Sequence, residues 1–286
     1  MIKGIAAAVL SASCYATLVI FGKIGMGLGL TSVHMLTLRF IFGTIILLGF
    51  LLIFNRSALR PTKSLVLKSA FVGLFFYLGQ SLMFFRSIEY IPASTASLIL
   101  YFYPLAVLLL SVLFLREKFR SSSLVSVLLI LGGCCLVFYD AFLRSFSTTG
   151  ITYAAIAMVL FSAYLIVTQY ILKTENSTSV TFYVMLFTAL GYTVLNGGTG
   201  FSGLTGQQFA LGVALGVIPS ALAMGFLYAA LKTIGAAYTS IFSSVEPVIT
   251  LILAGVFLGE EIVSFQIFGV VLLMAGIIIP NMRMTR

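Results

Sequence analysis

Apolar runs of about 20 residues recur from one end of this chain to the other, with only short polar breaks between them. A helix of that length crosses the roughly 30 Å hydrocarbon core of a bilayer. Within lipid each backbone N–H and C=O must be satisfied inside the protein, and unbroken apolar runs satisfy them as helices. The fold class read here is therefore an all-α polytopic membrane protein. Ten spans are expected, at about 3–22, 32–54, 65–86, 92–115, 121–140, 150–172, 180–197, 208–231, 235–258 and 263–281. Composition agrees: 8% of residues are charged, where a soluble domain carries roughly a quarter. The opening residues MIKGIAAAVLSASC have the look of a signal peptide. The apolar run continues to Gly22 and further spans follow, so an uncleaved first helix is expected.

The net charge of +9 sits in short loops rather than on a basic helix or patch, which argues for topology and against nucleic acid. With the N-terminus inside, twelve basic residues fall on the cytoplasmic face: Lys3, Arg56, Arg60, Lys63, Lys68, Arg116, Lys118, Arg120, Lys173, Lys232, Arg283 and Arg286. Lys23, Arg86 and Arg144 remain outside, and Arg39 lies within a span. The asymmetry places both termini in the cytoplasm. Two halves of five spans, residues 1–145 and 146–286, must then run in opposite senses, as an inverted-topology repeat. Short loops lead to the further expectation that sequential helices lie antiparallel as near neighbours.

One stretch carries most of the chemistry. In GAAYTSIFSSVEPVITLILAGVFLGEE, from Gly235 to Glu261, a rise of about 1.5 Å per residue puts Glu246 roughly 16 Å from the helix start. A carboxylate at that depth costs about 2.5 kcal/mol or more unless it faces protein or a wet cavity. Thr239, Ser243, Glu246 and Thr250 fall on one polar stripe of the helix. Reading back 143 positions gives PASTASLILYFYPLAVLLLSVLFLREK, where Pro104 matches Pro247, Glu117 matches Glu260 and Tyr103 stands in place of Glu246. The shared proline and terminal carboxylate point to internal duplication. Pro104, Pro219 and Pro247, deep in their spans, free backbone carbonyls and invite bends.

The run S-S-V-E-P-V-I-T-L-I-L-A-G-V-F-L-G-E-E, with its first-half form Y-F-Y-P-L-A-V-L-L-L-S-V-L-F-L-R-E-K, resembles the drug/metabolite transporter superfamily, and most nearly its EamA-type ten-span members. The resemblance covers essentially the whole chain. It implies a secondary transporter in a bacterial inner membrane, moving small metabolites such as amino acids by alternating access around a midplane cavity, often outward. The cavity would be lined chiefly by spans 1, 3, 4, 6, 8 and 9.

Glu246 is the sharpest candidate, as a proton carrier or a partner for a cationic amine; the bland reading is a structural carboxyl steadying the bend at Pro247. Pro104 and Pro247 are candidate gating positions. Tyr15, Phe76, Tyr77, Tyr101, Tyr103 and Tyr164 fall near the midplane, with Gln80, Ser97 and Ser243 adding polar handles, and packing is the competing role for each. Gln169 adds an amide to span six. Arg39 is a candidate for a substrate carboxylate or phosphate, against snorkelling or pairing with Asp140. His34 is expected as a solvated or interfacial ring near the outer surface. Glu117 and Glu260 are read as interfacial ion pairs or as a gate latch on each side. The partners expected are a small-molecule substrate, the lipid bilayer and coupling protons.

Other classes find little support. No H-E-x-x-H or G-x-S-x-G occurs, there is a single histidine, and no pair of embedded carboxylates offers acid–base or metal chemistry. Cys14, Cys134 and Cys135 lie inside apolar segments with no disulfide or metal spacing, so packing is their expected role and no cofactor or metal is called for. A sensor subunit lacks any soluble module to sense with. Within transport, a facilitative importer or exchanger and a multidrug efflux pump remain the alternatives.

Overall fold

The computed structural model describes residues 1–117, 121–139, 147–198, 203–259 and 262–279. The readings placed on Lys118, Arg120, Asp140, Arg144, Glu260, Arg283 and Arg286 lie outside the described residues. Among the described residues the secondary structure is entirely helical. Seven helices are long and apolar enough to cross a membrane. These are α1 (Ile2–Gly27), α2 (Ser32–Phe54), α3 (Lys63–Ile88), α4 (Ala93–Leu115), α6 (Thr148–Leu172), α7 (Ser177–Leu195) and α8 (Gly206–Ser243). Three shorter apolar helices complete the set: α5 (Ser121–Val137), α9 (Glu246–Leu258) and α10 (Ser264–Ile278).

Polar residues at the ends of the apolar runs start several of these helices. Thr31 accepts from the His34 N–H at 3.2 Å, Thr62 from Leu65 at 3.1 Å, and Asn176 from Thr178 at 2.9 Å. Thr205 and Gln208 form a reciprocal capping box at the start of α8. Each cap satisfies a backbone donor that the first helical turn leaves open. Between the ends, large apolar side chains such as Ile53, Leu67, Leu113, Val194, Val256 and Phe268 face outward around the bundle. Such a surface is a liability in water and the proper one in lipid.

The packing overturns one expectation. Helices joined by short loops are not the principal neighbours. α1 packs against α8 and α9, α2 against α7 and α8, α3 against α6, and α5 against α10. A loop of a few residues constrains where the next helix begins, whereas the contact partner is chosen by which faces fit closely. Small residues supply that fit in lipid, where no hydrophobic drive sorts one apolar face from another. A Cβ at Gly133 of α5 would collide with the Gly269 carbonyl of α10, and one at Gly216 of α8 with the Gly43 backbone of α2.

Four irregularities fall in corresponding places. α3 opens into a π turn at Val72–Tyr77, and α8 does so at Val217–Leu222, around Pro219. α4 breaks at Tyr101 and Phe102 and resumes at Tyr103; after α8 the chain breaks at Ser244 and Val245 and resumes at Glu246. Pro104 and Pro247 each follow by one residue, in a first turn where a missing N–H costs little. α4 and α9 both end on a residue in the left-handed region, Arg116 with φ 55° and Gly259 with φ 67°. Gly235, with φ 77° and ψ 171°, divides α8 into two helical stretches, where hydropathy places two separate spans.

Candidate functional site

The second break, at Ser244 and Val245, brings polar groups to the middle of the bundle. A small cavity there is lined by Ser11 and Tyr15 of α1, Tyr103 of α4, and Phe161 and Leu165 of α6. Leu227, Thr239, Ser240 and Ser243 of α8 and Glu246 of α9 close it. Its volume is about 20 Å³, room for about one water molecule. The conformation is therefore closed around its centre. The hydroxyls of Tyr15, Thr239 and Ser243 are buried with no hydrogen-bond partner among the described residues. Buried polar groups are rarely left so, and three at one cavity beside a carboxyl mark a place built to meet something else.

The polar stripe read from the sequence survives the break in the helix. Thr239, Ser243 and Glu246 all reach the cavity, whereas Thr250 does not. Of the other candidates, Tyr15 and Tyr103 line it directly, and the Tyr103 hydroxyl donates to the Ser240 carbonyl at 3.4 Å. Tyr77, Tyr101 and Tyr164 stand one layer behind. Tyr101 stacks on Phe138 at 5.6 Å, Tyr164 stacks on Phe161 at 5.8 Å, and Tyr77 meets Tyr164 edge-on at 5.1 Å. Tyr101, Tyr103 and Arg39 all lie within electrostatic reach of Glu246.

Phe76, Gln80 and Ser97 are not brought to this cavity. Phe76 belongs to a ring cluster with the exposed Phe71 and Phe75. For Phe76 and Gln80, both on α3, the physical reason lies in the π turn at Val72–Tyr77, which inserts an extra residue and rotates side chains off the regular helical face.

Arg39 is the group whose placement the sequence left most open. It is 5% exposed, deep in α2, and does not snorkel. Its Nε donates to Ser220 Oγ at 2.9 Å, and its Nη2 donates to the Pro219 carbonyl at 2.6 Å and to the Tyr77 hydroxyl at 3.3 Å. The guanidinium lies 4.9 Å from the Phe40 ring centroid and 5.8 Å from that of Tyr15. The acceptors on α8 exist because the π turn there presents a carbonyl and a hydroxyl together. These three partners are uncharged, so Arg39 is a buried cation placed behind the Tyr15 wall of the cavity. His34 is half-buried, with its Nε2 enclosed and without a hydrogen-bond partner among the described residues, rather than solvated.

Sequence reasoning missed Tyr228, which is fully buried and accepts from the Tyr164 hydroxyl at 2.9 Å. It also missed Ser220 and Ser11, the latter donating from α1 to the Ala223 carbonyl at 2.8 Å. Serine after a mid-span proline was the one signal pointing to Ser220.

At the end of the bundle that carries most of the basic loop residues, one side chain bridges three elements. Gln169 Nε2 donates to Glu117 Oε1 at 2.9 Å, and Gln169 Oε1 accepts from the Ala236 N–H at 2.7 Å. Ala236 begins the helix after the Gly235 break, so the amide caps that helix and ties it to the end of α4. Nearby, Lys232 Nζ donates to the Glu175 carbonyl at 3.0 Å, and Lys68 pairs with the Glu175 carboxylate at 3.5 Å. Glu117 is thus held by an amide, and Glu260 lies outside the described residues.

Comparison with known proteins follows the same lines. The model of the EamA-like transporter family matches twice, over residues 2–139 and 148–282. An uncharacterized transporter of Clostridium kluyveri is 24% identical over 201 residues, 68% of this chain and 65% of that protein, so the match spans slightly under two thirds of the relative's length. The uncharacterized transporter YyaM of Bacillus subtilis is 24% identical over 238 residues, 78% of this chain and 75% of that protein. A crystal structure described only as that of a protein superposes with a TM-score of 0.84 at 19% identity, covering 98% of this chain and 96% of its own. At that identity the likeness speaks for the fold alone.

Proposed function

This chain belongs to the EamA-like transporter family and is a multi-pass membrane transporter, and from that premise we propose that it is a secondary transporter whose substrate site is the cavity at Glu246. The reading takes the bundle as ten spans in two inverted five-helix repeats, residues 1–145 and 146–286, with both termini cytoplasmic. Support comes from the residue-for-residue correspondence of helix breaks, prolines and left-handed end residues at an offset of 143, together with the paired π turns. The basic loops favour that orientation, and a bacterial inner membrane is the matching location.

One observation carries the functional reading. Among the described residues, the meeting point of the helix breaks holds a single carboxyl and three buried hydroxyls without partners, in a space too small for any metabolite. Groups left unsatisfied in a closed state are those a solute engages when the site opens, which is the demand of alternating access. The substrate is a small amphipathic metabolite, an amino acid or a relative, whose apolar body meets Tyr15, Tyr103 and Phe161. Its polar groups meet Ser243, Thr239 and Glu246. Glu246 carries the coupling proton, Pro104 and Pro247 fix the breaks about which the halves rock, and the working direction is export.

The test is transport in liposomes with candidate amino acids under an imposed pH gradient. Glu246→Gln should abolish concentrative uptake while sparing counterflow exchange. Should the variant still concentrate substrate under the gradient, Glu246 does not carry the proton. Should wild-type protein show neither uptake nor counterflow with any solute class, the assignment of the cavity fails.

A further inference from the structure

A larger cavity than the one at Glu246 lies elsewhere, on the outer wall. A groove of about 360 Å³ runs between α4 and α6, lined by Leu110, Phe114 and Leu115 on one side and by Ala163, Val167 and Tyr170 on the other. Its volume lies within the range of small-molecule sites, and its lining is apolar apart from the Tyr170 hydroxyl. Phe114 and Tyr170 are both well exposed, so the groove opens toward the hydrocarbon rather than toward the buried centre.

Both helices end at the same end of this groove, and the first residue past each is basic. α4 stops at Leu115 and is followed by Arg116; α6 stops at Leu172 and is followed by Lys173. Both basic residues are exposed, and Lys173 Nζ lies 6.0 Å from the Tyr170 ring centroid. Arg116 occupies a left-handed backbone position, φ 55° and ψ 33°, where the corresponding residue of α9 is Gly259. Side chains other than glycine are disfavoured there. A charged side chain kept at such a position points to a use for the charge. An apolar slot with a cationic rim at the membrane surface has the chemistry of one ligand class, an acyl chain attached to an anionic headgroup.

We propose that the α4–α6 groove is a binding site for an anionic phospholipid of the bilayer, one acyl chain lying along Ala163 and Val167 and the headgroup phosphate held by Arg116 and Lys173. The site adjoins the bridge between the same two helices. Glu117 is two residues beyond Leu115, and Gln169 lies between Val167 and Tyr170. A chain wedged in the groove braces α4 against α6 and so favours the state in which Gln169 joins Glu117 to the Ala236 helix. The proposal rests on the transporter reading only for this last consequence; binding itself stands apart from it.

The test uses full-length protein, delipidated in detergent, with palmitoyl-oleoyl phosphatidylglycerol and, separately, palmitoyl-oleoyl phosphatidylcholine, read by native mass spectrometry and thermal unfolding. Phosphatidylglycerol should bind as one retained copy and raise the unfolding temperature. Neutralising Arg116→Gln and Lys173→Gln should weaken it roughly five-fold for each charge removed. Ala163→Phe, which fills the slot, should eliminate it. Equal retention of phosphatidylcholine, or undiminished binding in both the charge variant and the filled variant, overturns the proposal. So does a disulfide-linked dimer of Phe114→Cys that persists in excess phosphatidylglycerol, because a second copy would then cover the groove. Counterflow measured on the wild-type protein separates the two readings: no retained phosphatidylglycerol with intact counterflow sinks only the lipid site, and absent counterflow with intact lipid binding sinks only the transporter assignment.

Discussion

Replacing Gly235 by alanine tests the hinge on which the described architecture turns. The backbone there, φ 77° and ψ 171°, falls in a region that is essentially reserved for glycine and costs other residues about 1–3 kcal/mol. A Cβ at this position would stand 3.1 Å from Gln169 Nε2 and 3.3 Å from Glu117 Oε1, so it also presses on the bridge that caps the following helix. Losing that capping bond adds about 1 kcal/mol, for a total of about 2–4 kcal/mol. Two controls bracket the effect. Gly259→Ala meets open space but keeps a left-handed backbone, at about 1–2 kcal/mol. Gly225→Ala sits in regular helix with open space around it and should gain up to about 1 kcal/mol. Thermal unfolding of the purified variants should therefore rank Gly225→Ala highest, then Gly259→Ala, then Gly235→Ala. If Gly235→Ala unfolds with Gly225→Ala, the strained conformer is absent and the hinge argument is wrong.

Other expectations follow from the same contacts. Gln169→Leu leaves the Ala236 N–H and the Glu117 carboxylate without their partner, costing about 1–3 kcal/mol; a cysteine at Ile234 should then react several-fold faster with a polar maleimide. Arg39→Met removes three hydrogen bonds from a buried cation and should lower the unfolding temperature more than Tyr228→Phe. The latter loses one bond to Tyr164, worth about 0.5–1.5 kcal/mol. Gly133→Leu drives a side chain into the Gly269 carbonyl and Leu273 and should cost about 1–3 kcal/mol or more, seen as poor recovery of folded protein by size-exclusion chromatography.

The candidate site was legible in the sequence where its signal was local. Glu246 stands out because an acid in an apolar run is expensive wherever the run is placed. Ser243 and Thr239 follow from helical periodicity, which holds across the break at Ser244 and Val245 because the backbone resumes a helix almost at once. Tyr15 and Tyr103 were found by depth, on spans that the family resemblance marks as cavity-lining. Phe76 was assigned by the same reasoning and is not at the cavity, since a π turn shifts the register of every side chain after it and leaves no mark in hydropathy. Tyr228 was invisible, and Ser220 was marked only by the proline before it, for a related reason: a tyrosine or serine in a span is common, and its partner on another helix is not written near it.

Run length and composition by themselves determined that this chain lies in a bilayer as helices, because an unbroken apolar run of about 20 residues satisfies its own backbone in lipid only as a helix. The prolines at 104 and 247 likewise announced bends in α4 and at the start of α9, since a proline acts on its own backbone. Which helices touch was decided only in three dimensions. α2 pairs with α8 and α5 with α10 through glycines that admit a neighbouring backbone, and apolar faces otherwise look alike to one another. The bonding of Arg39 to α8 and the bridge from Gln169 to Glu117 and Ala236 are likewise products of tertiary packing. A hydrogen bond between residues far apart in the chain depends on a close approach that no local pattern encodes.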